Sequence, residues 1–109
     1  MIPSVAQLVS ELAADLGDAH STTDGPSMTW SRSERAFGVL GPDGIELRLE
    51  PAIAAAAART PDAAPSPRGP EWVRFNPREL DGHATDRLVA WFDFAYRRAA
   101  NRPPDGGTG

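Results

Sequence analysis

The chain has 109 residues, a formal net charge of -4 and no cysteine, which suits one domain with one core and excludes disulfides, thiolate metal ligands and a cysteine nucleophile. No run of about 18 apolar residues is present, so no segment reads as a membrane-spanning helix. The N-terminus lacks the basic n-region of a secretory signal, and the cytoplasm is the expected location.

Ser4-Val5-Ala6-Gln7 has the form of a capping box, with Ser4 as N-cap. Val5, Leu8, Val9, Leu12 and Leu16 follow at helical spacing up to Gly17, so an amphipathic helix covers one face of a sheet. Residues 18–27 are polar and hold the Gly25-Pro26 breaker, which predicts a loop with room for a short strand near Ser21 to Thr23.

Met28-Thr29-Trp30-Ser31-Arg32 alternates as a strand does. After a turn at Ser33-Glu34, or a longer loop there, two apolar runs flank Gly41-Pro42-Asp43-Gly44. Pro42 presets the first corner, Asp43 bonds its own backbone, and Gly44 supplies the positive φ that closes a three-residue hairpin loop through a bulge. That geometry sets Val39 opposite Leu47 and Phe37 opposite Leu49, with Trp30 opposite Phe37 and Met28 opposite Val39. Gly38, Leu40, Glu46 and Arg48 then share the other face.

Glu50-Pro51 opens a short Ala-rich helix with Pro51 at its first position, ended by Thr60-Pro61. Residues 61–70 carry four prolines and read as a solvated, disordered connector. Glu71-Trp72-Val73-Arg74-Phe75 forms a further strand, with Val73 and Phe75 inward and Trp72 and Arg74 outward. Asp81 or Thr85 caps a last helix whose buried stripe is Leu88, Phe92, Ala95 and Ala99, with Trp91 and Tyr96 at its margins. Residues 102–109 read as a disordered tail.

Nucleotide-loop, zinc-protease and nucleophile-elbow motifs are absent. His83 and Asp86, one turn apart beside Asp81, are explained by a capped helix start, so no metal or cofactor is assigned. Glu34 and Glu46 have no spacing that would pair them as acid and base, and no catalytic residue is assigned. The remaining candidate is the sheet face away from the helices. There Thr29, Ser31, Leu40, Glu46 and Arg48 are joined by Trp72 and Arg74. Arg48, Trp72 and Arg74 are the candidate binding residues, because a Trp between two guanidiniums suits a protein hot spot or a base-stacking platform. The competing reading makes Trp72 structural, covered by the Pro-rich connector or packed under a helix.

In order, these pieces resemble the MmcQ/YjbR-like proteins and the N-terminal domain of TfoX-like proteins. The resemblance rests on the leading helix, the Thr29-Trp30 strand, residues 35–40, residues 44–49 with Pro51, residues 72–75 and the final helix ending in residues 94–99. It implies a compact α+β fold and, as one function, DNA-binding regulation; it brings no catalytic residues. All 11 basic residues here are Arg and the balance is acidic, which disfavours contact with phosphate backbones. The expectation is therefore an α+β domain over residues 1–101, with an antiparallel sheet of four or five strands and the N- and C-terminal helices packed on one face. Its expected role is a non-catalytic binding or regulatory module for a protein partner or a second copy of itself, with a DNA-binding regulator as the alternative.

Overall fold

A computed structural model describes residues 4–101; the tail expected over 102–109 lies outside them. The elements are α1 (Val5–Ala14), β1 (His20–Asp24), β2 (Ser27–Arg32), β3 (Arg35–Gly41), β4 (Gly44–Arg48), α2 (Pro51–Ala57), β5 (Ala63–Pro65), β6 (Trp72–Phe75) and α3 (Gly82–Asn101). The strands form one antiparallel sheet in the order β1-β2-β3-β4-β6-β5. The fold is α+β, with helices from both ends of the chain on the sheet.

Both long helices begin at side-chain caps. The Gln7 N–H donates to Ser4 Oγ at 3.1 Å and the Ala84 N–H donates to Asp81 Oδ1 at 2.8 Å, so Asp81 rather than Thr85 caps α3. Val9 of α1, Ala54 and Ala57 of α2, and Leu88, Trp91, Phe92, Ala95 and Ala99 of α3 belong to one cluster with the sheet residues Trp30, Phe37, Ile45, Leu47, Val73 and Phe75. Phe92 is its centre: its ring meets Phe37 edge-on at 5.4 Å and Trp30 at 6.4 Å. Phe75 meets Trp91 in the same manner at 5.1 Å.

Two sequence expectations are corrected. The first is the register of β3. Gly41 pairs with Gly44, Leu40 with Ile45, Val39 with Glu46 and Gly38 with Leu47, so the loop is the two residues Pro42 and Asp43 and no bulge forms at Gly44. The extra residue lies at the other end of the strand: Trp30 pairs with Gly38 and Ser31 with Ala36, leaving Phe37 bulged between them. Leu40 therefore turns toward the helices and Val39 away from them, while Phe37 stays fully buried because the bulge swings it inward. Gly44 has another task. It lies at φ +111°, and a Cβ there would fall 2.5 Å from the Phe75 carbonyl oxygen, so the residue lets β4 close onto the end of β6.

The second correction concerns the Pro-rich connector, expected as a disordered loop. It contains β5, which pairs Ala63 with Phe75, Ala64 with Arg74 and Pro65 with Val73, and this and β1 bring the sheet to six strands. The connector is held by main-chain bonds from the Asn76 N–H to the Asp62 carbonyl at 2.9 Å and from the Ser66 N–H to the Trp72 carbonyl at 3.3 Å. Proline is tolerated because β5 is an edge strand, where one side needs no N–H donor.

Candidate functional site

Outside the bulge at Phe37, strand alternation divides the sheet residues between two faces. Thr22, Thr29, Val39, Glu46, Arg74 and Ala64 are successive cross-strand partners from edge to edge, and none of them belongs to the core cluster. They define the face on which no helix packs among the described residues. Trp72, two residues from Arg74 on β6, lies on it too.

Glu46 organises this face. Its carboxylate accepts hydrogen bonds from the Ser66 hydroxyl and from Arg68 Nε at 3.0 Å, and Arg74 Nη2 lies 3.8 Å away. Ser66 is itself buried and its Oγ accepts from the Arg68 N–H at 3.2 Å. Burial of Glu46 opposes its ionisation, but the hydrogen bonds from Ser66 and Arg68 and the charges of Arg68 and Arg74 outweigh it. The carboxyl titrates below its ordinary value. Arg68 also places its guanidinium 5.6 Å from the Trp72 ring centroid. The connector thus reaches over Trp72 through Arg68 and leaves the indole half-buried.

Of the three residues singled out from sequence, Trp72 and Arg74 come together and Arg48 does not join them. Arg48 is the cross-strand partner of Trp72, yet its guanidinium donates twice to Glu71, at 3.0 and 3.3 Å. Glu71 also takes an ion pair from Arg98 of α3. Arg48 accordingly lines a small cleft with Arg35, Phe37, Ala95 and Arg98, against α3. Leu40, expected on the helix-free face, has turned inward, and Val39 replaces it. Ser66 and Arg68 were missed by sequence reasoning, since nothing local marks a Ser and an Arg inside a Pro-rich stretch as partners of a glutamate twenty residues earlier.

The other candidates have local explanations. Asp81 is a helix cap, and no three His, Asp or Glu side chains gather at a metal-sized site among the described residues. Glu34 sits in the exposed β2–β3 turn, several residues along β3 from the position opposite Glu46. A separate polar cluster joins Asp18, Arg32 and Tyr96: Arg32 Nε donates to Asp18 at 2.7 Å, the Arg32 guanidinium carbon lies 3.8 Å from the centroid of the Tyr96 ring, and Arg32 Nη1 donates to the Tyr96 carbonyl at 3.1 Å. The Tyr96 hydroxyl donates to the same carboxylate, which lowers the Asp18 titration and raises that of Tyr96. Its chemistry is that of a clasp between the α1–β1 link, β2 and α3. No helix among the described residues is long and apolar enough to cross a membrane. In comparisons with known proteins, the chain matches no family model, no curated protein and no solved structure.

Proposed function

We propose that this chain is a non-catalytic binding module whose contact surface is the helix-free sheet face around β6, with Trp72 as the apolar anchor and Arg68 and Arg74 as flanking cations. The observation that carries this reading is the grouping of a half-buried indole with two guanidiniums on a face without a helix. The Arg68 and Arg74 side chains are 46% and 38% exposed and share a single carboxylate, that of Glu46. A Trp flanked by Arg supplies contact area and direction at small rotamer cost, and the surplus positive charge suits an acidic segment of a protein partner. Kinship with the MmcQ/YjbR-like proteins belongs to the same proposal.

The ion pairs weigh against duplex DNA. Arg48 and Arg98 converge on Glu71, Arg74 lies against Glu46, and Arg97 pairs with Asp93 at 3.0 Å. Four arginines needed for one phosphate-tracking patch are divided among three carboxylates.

The test uses purified wild-type, Trp72→Ala and Arg74→Ala proteins as affinity baits, with thermal midpoints measured on the same preparations. Partner capture should be lost with Trp72→Ala and become more salt-sensitive or weaker with Arg74→Ala, while the midpoints stay within a few degrees of wild type. Loss of capture in step with unfolding would make Trp72 structural and end this reading. Tight binding of a generic duplex at low salt by the wild type would favour the DNA reading instead.

A further inference from the structure

We propose that β1 is a docking edge for a second copy of this chain, the two β1 strands pairing antiparallel about a two-fold axis at Thr22. The two edges of the sheet are built differently. β5 has three residues and ends in Pro65, both of which blunt an edge against further pairing. β1 has five residues, all exposed, with neither Pro nor Lys among them. It pairs with β2 in unbroken register, and among the described residues no strand covers its outer side. A row of main-chain N–H and C=O groups is therefore presented to a strand of the right chemistry.

The side chains of β1 specify which strand that is. In an antiparallel pair centred on Thr22, His20 stands opposite Asp24 of the partner subunit, Ser21 opposite Thr23 of the partner subunit, and Thr22 opposite its own copy. Every pair is hydrogen-bonding or complementary in charge, and no like charges meet. The contact is isologous, so it closes at two copies.

The faces agree as well. His20, Thr22 and Asp24 pair with Ser31, Thr29 and Ser27, which sets both His–Asp pairs and the Thr22 pair on the helix-free face. Ser21 and Thr23 pair with Trp30 and Met28 on the helix side. There a groove of about 350 Å³ runs between α1 and the β1–β2 hairpin, lined by Ser10, Ala13 and Ala14 with Ser21, Met28 and Trp30. A two-fold axis normal to the sheet brings the two grooves together into one trough of small and apolar side chains, covered by neither α3. The sheet becomes twelve strands wide, with the two Trp72 faces near its opposite ends. Pairing at β1 does not involve Trp72, Arg68 or Arg74, and so stands or falls apart from the binding reading given for β6.

Sedimentation velocity on the full chain, from about 10 μM to about 1 mM as suits a small interface, tests it. The wild-type mass should rise with concentration from 11.6 kDa toward twice that value. Thr22→Lys sets two ammonium groups face to face and should hold the chain monomeric. His20→Asp sets Asp against Asp at both ends and should weaken association by about tenfold or more. Adding Asp24→Lys to His20→Asp reverses both pairs and should restore it. All these positions are exposed, and far-UV circular dichroism checks that the variants fold; should Thr22→Lys fail that check, the His20/Asp24 set decides alone. A wild type that stays monomeric throughout, a dimer indifferent to these substitutions, or a double variant that fails to recover would each overturn the pairing.

Discussion

Gly44 and Glu46, two residues apart on β4, show how much one position can carry. At Gly44 the backbone has φ +111°, and a Cβ would meet the Phe75 carbonyl at 2.5 Å and Asn76 Cβ at 2.8 Å. Both the conformation and the space refuse a side chain, so Gly44→Ala should cost about 2 to 3 kcal/mol in urea denaturation, near the upper end for point substitutions. Gly17 has nothing within 4 Å of its would-be Cβ, and Gly17→Ala serves as the mild control. At Glu46 the effect is one of pH. Its folded-state titration lies below the ordinary value of 4.5, so the ionised form stabilises the fold in full above about that pH and is lost as pH falls through the lower folded value. Glu46→Gln should therefore be less stable than wild type at neutral pH, and the gap should narrow as the solution is taken from about pH 5 to pH 2. A gap that stays constant would mean that the carboxylate charge contributes nothing.

Among the elements, the β2–β3 turn stores strain. Arg32 pairs with Arg35, so Ser33 and Glu34 form a two-residue loop, and both have positive φ, 53° and 64°. This is the backbone of a type I′ turn, which follows the twist of the strands but suits Asn-Gly far better than Ser-Glu. Replacing Ser33→Asn and Glu34→Gly together should stabilise the chain by about 1 kcal/mol in chemical denaturation. A neutral or negative result would indicate that the turn is relaxed in solution. Strand β3 then bulges at Phe37, which lets that ring reach both Phe92 and Tyr96, at 5.4 and 5.9 Å. The bulge is therefore fixed by what α3 presents rather than by the hairpin loop.

For the whole molecule, α3 packs on β2, β3 and β4 and α2 on β5 and β6 at one end of the sheet, within extents of 46 × 28 × 24 Å. The three tryptophans report on this arrangement. Trp30 and Trp91 are 2% and 8% exposed and lie under α3 or on its buried side, whereas Trp72 is half-buried on the opposite face. Acrylamide should quench one fraction of the fluorescence readily and leave the rest protected, and Trp72→Phe should remove the quenchable fraction. Uniform protection of all three would mean that the helix-free face is closed in solution.

Sequence alone determined the features whose signals act over a few residues. Ser4 and an Asp81 or Thr85 cap were readable because an N-cap bonds a backbone N–H two or three positions on, and the Leu88, Phe92, Ala95 and Ala99 stripe because helical period is a local property. The α+β class followed from where those periods change. The tertiary structure alone decided the register of β3, because sliding a strand by one residue alters no local propensity. The choice was made by Phe37 against Phe92 and by Gly44 against Phe75, residues far apart in the chain. It also decided that Pro-rich residues become β5, since an edge strand is stabilised by β6 and not by its own composition. The candidate site divides along the same line. Trp72 and Arg74 shared a face by strand alternation, but Glu46 acquired Ser66 and Arg68, and Arg48 turned to Glu71, through ion pairs between segments that only the packed sheet brings within reach.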